Sequence, residues 1–242
     1  MIDIHCHILP NIDDGPATLK TSLSMASIAA KDGIHTVIAT PHTEGFRVNA
    51  ERVADAVERL NYELQQKKIP LIVLPGHEIP FHQVTELADT HTLAGSRYVL
   101  VEFPHNYVPE DAPHILFELH ASGLIPVIAH PERNRAVIMN PDILADFIYS
   151  GVLVQITAAS ITGELGPDIE RCAYHLLQNE MTHFIATDSH SPSFRKPVLR
   201  KALKTVSRLI GTKKAEMLII ENPAKIIQSR IQQLTAQNPL QS

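Results

Sequence analysis

Three features of the sequence predict an α/β domain whose parallel strands close, or nearly close, into a barrel. Seven apolar, β-branched runs recur along the 242 residues, segments of helical periodicity separate them, and each run is apolar nearly throughout rather than at alternate positions. Continuous apolarity is what a strand covered on both faces requires, and helical crossovers supply that cover. Seven strands in this length suit a ring better than a doubly wound sheet, and neither a dinucleotide fingerprint nor a P-loop follows the first run.

The runs lie at about 2–5, 34–40, 70–75, 98–103, 124–129, 152–156 and 182–187. The first helix is expected over 17–32, with Leu19, Leu23, Ala26 and Ala30 on its apolar face and Gly33 as its stop. A second, over 49–67, carries Val53, Val57, Leu60 and Leu64 on one face behind an Asn49 cap. Further helices are expected at about 83–90, 111–122, 141–150, 167–179, 197–210, 212–220 and 223–235. No composition break interrupts the alternation, so residues 1–235 read as a single domain and 236–242 as a frayed polar tail.

Composition removes several classes. A net charge of -5 with no basic block argues against nucleic-acid binding. No apolar run approaches the roughly 18 residues of a membrane span, which predicts no membrane insertion. No leader pattern precedes Ile2, and Cys6 and Cys172 make no disulfide framework, so a cytoplasmic location is expected. Cysteine-based phosphatase chemistry needs an arginine six positions after the nucleophile, and Ile12 and Gln178 stand there instead. The 14 histidines are the unusual entry in the composition: imidazole in excess over thiol favours mixed nitrogen and oxygen coordination of borderline metals.

The metal-capable side chains collect where the runs end. His5 and His7 follow the first, His42 the second, Glu78 the third, Glu102 the fourth, His130 the fifth, and Asp188 with His190 the seventh, while Asp14 lies just behind the first. Only the sixth, ending Gln155-Ile156-Thr157, offers no ligand. Taken singly, an acid or histidine at a strand end is an ordinary loop residue. In a parallel barrel, however, all strand C-termini open onto one face, so topology brings these residues together. Four carboxylates and five imidazoles are too many for one ion and suit two or three, a cluster typical of phosphoester hydrolysis. Arg133 and Arg195 should rim the same pocket, and their planar forks match phosphoryl oxygens.

The segments Ile2-Asp3-Ile4-His5-Cys6-His7, Asp13-Asp14-Gly15, Thr40-Pro41-His42, Gly76-His77-Glu78, Val101-Glu102-Phe103, Ala129-His130-Pro131-Glu132-Arg133, Asp188-Ser189-His190 and Glu221-Asn222-Pro223 together resemble the polymerase-and-histidinol-phosphatase superfamily. Within it the chain is most similar to the bacterial manganese-dependent tyrosine-protein phosphatases of capsule and exopolysaccharide loci. The resemblance implies a distorted seven-stranded, TIM-like (βα)7 barrel holding three divalent ions, Mn²⁺ foremost, with Fe²⁺ or Zn²⁺ as alternatives. It implies that His5, His7, Glu78 and Asp188 hold the first ion and that Glu78 bridges to a second, completed by Glu102 and His130. Asp14, His42 and His190 would hold the third; Glu102, where many superfamily members carry histidine, matches the tyrosine phosphatase branch.

The expected reaction is hydrolysis of phosphotyrosine on a protein, such as the tyrosine-rich tail of a kinase governing polysaccharide assembly. A metal-bridging hydroxide would attack phosphorus in line while Arg133 and Arg195 hold the phosphoryl oxygens. Phe46, Phe103, Tyr107 and Phe194 lie in the same loops and are candidates to receive the phenyl ring. Two other readings remain: a phosphatase of a small phosphomonoester such as histidinol phosphate, and a non-catalytic module stabilised by metal.

Overall fold

The computed structural model describes residues 1–43 and 48–228. Among them, β1 (Ile2–Cys6), β2 (Thr36–Ala39) and β3 (Ile72–Pro75) form one sheet in that order. A second sheet runs β4 (Glu78–Pro80), β5 (Tyr98–Glu102), β6 (Ile125–Ala129), β7 (Leu153–Thr157) and β8 (Phe184–Ala186). Every neighbouring pair is parallel.

Each of the seven expected runs contains a strand, but eight strands in two sheets correct the expected count. The reason is a break behind the third run. After Pro75 the chain passes Gly76 and His77 and resumes as β4, so that β3 pairs with β2 while β4 pairs with β5. Position 76 has no space for a side chain: a β-carbon there would stand 2.6 Å from Ile38 Cγ2 and 3.2 Å from the Ala39 carbonyl oxygen.

The two sheets also touch at their margins. His42 bridges to Glu78 on one side and Cys6 to Ser189 on the other. Asp188 N donates to His5 O and His7 N donates to Ser189 O, both at 2.8 Å, which ties the end of β1 to the chain leaving β8. The buried Asp3 carboxylate reinforces this seam by accepting from Thr187 N (2.9 Å) and Thr187 Oγ1 (2.5 Å).

Strand side chains sort into two cores. Ile4, Ile38, Leu100, Val127 and Phe184, drawn from both sheets, meet in one buried cluster. Val37, Val73, Val101, Ile128, Val154 and Ile185 occupy the other, together with the apolar helix faces. Strict alternation would put Ile4 and Cys6 on the same side, yet Ile4 joins the first cluster and Cys6 the second. The register of β1 against β2 shifts between Asp3 and Cys6, an irregularity that re-aims side chains.

Helix α1 (Leu19–Asp32) ends at Gly33, whose φ of 92° is the left-handed stop the sequence suggests. Its buried face is Ser22, Met25, Ala26 and Ala29; Leu19 is exposed and Leu23 and Ala30 are only half-buried, so the expected stripe is corrected. Small side chains flank the buried Met25 in this contact, and the two leucines lie at its margin. Helix α2 (Ala50–Gln66) matches its prediction: Asn49 Oδ1 accepts from Arg52 N at 2.9 Å, and Val53, Val57, Leu60 and Leu64 are buried.

Helix α3 (Val84–Leu87) is shorter than expected, whereas α4 (Ala112–Ala121) fills its predicted span. Helices α5 (Arg135–Met139) and α7 (Ala158–Ile161) carry too few residues to show a period, and sequence reasoning misses both. Helix α6 (Ala145–Tyr149) occupies the second half of 141–150, behind a single 3₁₀ turn. Helices α8 (Pro167–Gln178), α9 (Arg200–Ile210) and α10 (Thr212–Glu216) lie where periodicity puts them. Residues 222–228 are helical; the rest of the span expected over 223–235, and the tail, lie outside the described residues. Among the described residues no helix is long and apolar enough to cross a membrane.

The Gly76→Ala substitution should lower stability by about 1–3 kcal/mol, the usual cost of overpacking. A urea unfolding midpoint that does not move would show that the β3–β4 junction has slack.

Candidate metal centre

All nine side chains expected at the strand ends come together, although they derive from widely separated parts of the chain. The innermost donors are the most regular. His5 Nε2 and His7 Nε2 are 3.3 Å apart; both approach Glu78 Oε2, at 3.2 and 3.3 Å, and Asp188 Oδ1, at 3.4 and 3.5 Å. Atoms at these separations from one another are close enough for imidazole nitrogens and carboxylate oxygens to share a small divalent ion. All four side chains are buried.

Two further groupings adjoin this one. His130 Nε2 lies 2.9 Å from Glu78 Oε1 and 3.7 Å from Glu102 Oε1. Asp14 Oδ1 faces His190 Nε2 at 3.3 Å and His42 Nε2 at 3.8 Å. Asp14 is the open edge, its side chain 54% exposed. His7 also belongs to this outer group, and His42 Nδ1 approaches Glu78 Oε2 at 3.2 Å and Glu102 Oε2 at 3.9 Å. The donors are therefore shared more widely than a division into three separate sets implies.

The electrostatics of this donor set fit cations. Glu78 Oε2 is buried and accepts no hydrogen bond of proper geometry, though three imidazole nitrogens surround it. Burial opposes ionisation of Glu78, but the charge of His5 and the hydrogen bond from His130 hold its carboxyl well below the usual range. Burial and the adjacent Glu78 charge push Glu102 up to about 8. Burial and then Arg133 push His130 down to about 4, leaving a neutral imidazole with a lone pair to offer. A second carboxylate charge at Glu102 thus needs a positive neighbour, which a divalent ion supplies. Among the described residues no cysteine belongs to any of these groups.

Around the donors stands a layer that orients them, and sequence reasoning missed it. The His7 Nδ1 proton is taken by Asp13 Oδ2 at 2.6 Å, and His5 Nδ1 pairs with Gln155 Oε1 at 2.9 Å. Both contacts direct Nε2 toward the centre, as outer partners of metal-binding histidines commonly do. Asp13 also accepts from His42 N (3.1 Å) and Gly15 N (3.0 Å), so one carboxylate fixes three segments. Gly15 is required there, since a β-carbon would stand 2.4 Å from the His7 carbonyl oxygen. The paired acids Asp13-Asp14 were a visible signal, but which of them points inward was not. Gln155 sits on β7, the strand that offers no ligand, and its role follows only from the register Ala129↔Gln155.

Three of the seven non-glycine residues of positive φ among the described residues stand at this centre. His130 (φ 33°), Asp188 (φ 48°) and Arg195 (φ 48°) all adopt left-handed conformations without being glycine. Such residues cost on the order of 1–3 kcal/mol each and cluster at functional sites. Arg133 and Arg195 both donate to Asp188 Oδ2, Arg195 at 2.8 Å, so Asp188 turns one oxygen to the imidazoles and the other to the guanidinium pair.

The aromatic candidates divide. Tyr107 and Phe194 are 57% and 65% exposed. Phe103 is corrected: only 5% exposed, it packs its ring against Phe81 and Phe147 and forms no part of a rim. Phe46 lies outside the described residues.

A parallel α/β chain whose strand ends gather a thiol-free set of imidazoles and carboxylates defines the class: an α/β domain with a candidate metal centre. A family model described as capsular polysaccharide synthesis, CpsB/CapC, matches residues 1–228, and the chain belongs to that family. The tyrosine-protein phosphatase YwqE of Bacillus subtilis (strain 168) is 38% identical over 224 residues, 90% of this chain and 88% of its own length. The putative tyrosine-protein phosphatase CapC of Staphylococcus aureus is 35% identical over 207 residues, covering 83% and 81%. A chain from the solved structures of B. subtilis YwqE and Streptococcus pneumoniae CpsB, described as unique metal-dependent tyrosine phosphatases, superposes with a TM-score of 0.90 at 37% identity, covering 95% of both chains.

Removing Asp13 or Gln155 should loosen the centre while leaving its donors in place. Asp13→Ala and Gln155→Ala should each weaken Mn²⁺ binding by about 10–100-fold in a competition titration against a chelator. Unchanged affinity in both variants would deny them any orienting role.

Proposed function

We propose that this chain is a metal-dependent protein-tyrosine phosphatase. The observation that carries the reading is the division of labour at Asp188, which faces the His5 and His7 imidazoles with one oxygen and two arginines with the other. A substrate group that is both anionic and multidentate suits that junction of cation site and guanidinium pair, and a phosphoryl group is both. The family relationship points to the phosphotyrosine side chain of a protein as its carrier.

We read the two sheets as arcs of one distorted TIM-like barrel, supported by their marginal bridges and by the inner cluster they share. The first of three divalent ions would sit among His5, His7, Glu78 and Asp188, the second among Glu78, Glu102 and His130, and the third among Asp14, His42 and His190. Nitrogen and oxygen donors of this mixture suit Mn²⁺, Fe²⁺ or Zn²⁺. When bound, such ions neutralise phosphoryl charge and make water a nucleophile near neutral pH.

The protein's own share is placement. Each guanidinium carries five N–H donors, and Arg133 and Arg195 each direct one nitrogen to Asp188. Their remaining donors are available to phosphoryl oxygens, fixing the group over the metal donors and stabilising charge as it develops. The phenolate of tyrosine, with a conjugate acid pKa of about 10, leaves more readily than an alkoxide. The substrate would be a phosphotyrosine-bearing protein of the polysaccharide-synthesis machinery, such as the tail of a tyrosine kinase. Both cysteines are free, in keeping with action in a reducing cytoplasm.

Phosphate release from a phosphotyrosyl peptide should depend on added Mn²⁺ and stop with a chelator. Arg133→Ala should lower turnover by about 100–1,000-fold with bound metal, measured by atomic emission, unchanged. A rate equal to wild type would remove Arg133 from the mechanism. Histidinol phosphate hydrolysed far faster than the peptide in the same assay would assign the site to a small phosphomonoester.

A further inference from the structure

Asn134, the residue after Arg133, is 4% exposed and has both ends of its amide fully engaged. Its Oδ1 accepts from Ala136 N (2.9 Å) and Val137 N (3.2 Å), capping α5. Its Nδ2 donates to two carbonyl oxygens of a different segment, Pro104 O at 2.7 Å and Tyr107 O at 2.8 Å. Next to it, Arg135 N donates to His105 O at 2.8 Å. The amide orientation is dictated, because the reverse would oppose oxygen to two carbonyls and N–H to N–H.

Three hydrogen bonds therefore hold residues 104–107 against the turn that carries His130 and Arg133. The segment begins two residues after Glu102, the end of β5, is rooted by the buried Phe103 and Pro109, and exposes His105, Asn106 and Tyr107. Without Asn134 the two carbonyls lose this donor, and of the three hydrogen bonds only that from Arg135 N to His105 O is left. We infer that Asn134 is a positioning residue that fixes the 104–107 segment, with Tyr107, beside Arg133 as one wall of the substrate site, and so governs how well an aromatic phosphoester is held. This rests on the phosphotyrosine reading above.

Asn134→Asp separates the two duties of the side chain. A carboxylate keeps the oxygen that caps α5, since Asp is as good a cap as Asn, but it has no hydrogen to offer Pro104 or Tyr107. The experiment uses the full-length, Mn²⁺-loaded protein and a phosphotyrosyl peptide, with amide hydrogen exchange as a readout independent of activity. In Asn134→Asp, exchange at Arg135, whose N–H is held by His105 O, should rise and KM should increase about tenfold, with kcat held within about threefold, the pattern of lost binding rather than lost chemistry. Tyr107→Ala should reproduce the KM increase. Unchanged exchange at Arg135 in Asn134→Asp, or faster exchange with KM unmoved, overturns the role of Asn134. A fall in kcat with KM unchanged also overturns it, by marking Arg133 as the group displaced. Wild-type protein inert toward the peptide would instead sink the phosphatase reading and this inference with it, so the two failures are told apart by the wild-type control.

Discussion

The structure depends on keeping two carboxylates, Glu78 and Asp188, charged although they are buried. Both are buried, and both are held well below the usual carboxylate range by neighbouring imidazoles and, for Asp188, by Arg133. A buried charge without a partner is so costly that it would protonate or unfold its surroundings. Every other property of the centre follows from meeting this demand: histidines on three sides, two arginines behind Asp188, and a donor spacing that suits small divalent ions.

The backbone meets the demand with two local departures from regularity. The break at Gly76 and His77 lets one stretch of chain serve two neighbouring strands and delivers Glu78 to the centre. The irregularity in β1 places His5 and His7 inside without sacrificing the apolar contacts of Ile2 and Ile4 below them. Left-handed residues at His130, Asp188 and Arg195 are the remaining adjustments, and the hydrogen bonds of Asp13, Glu132 and Asn134 pin the segments around them. Departures from ideal geometry are expected where a fold serves a site rather than its own stability.

Much of this was legible in the sequence, for a physical reason. Parallel strands end on one face, so chemistry at run ends such as His42, Glu102 and His130 could be assigned to one place without knowing any distance. The α2 face was readable because Val53, Val57, Leu60 and Leu64 are both the apolar and the buried residues. The α1 face was not, because Ser22 and Ala29 are buried for their size, which a hydrophobicity pattern does not weigh. Asp13, Gln155 and Asn134 escaped notice because their importance lies in contacts between elements far apart in the chain, and no periodicity encodes those. Phe103 was misjudged because a strand-end aromatic can face core or solvent with equal ease.

Cys6 stands between His5 and His7 in sequence yet on the opposite side of β1, facing the apolar core, with burial raising its thiol well above the ordinary range. The shift of register in β1 therefore hides a sulfur in the apolar core one residue away from the ligands, so the surface those ligands form is made of nitrogen and oxygen alone.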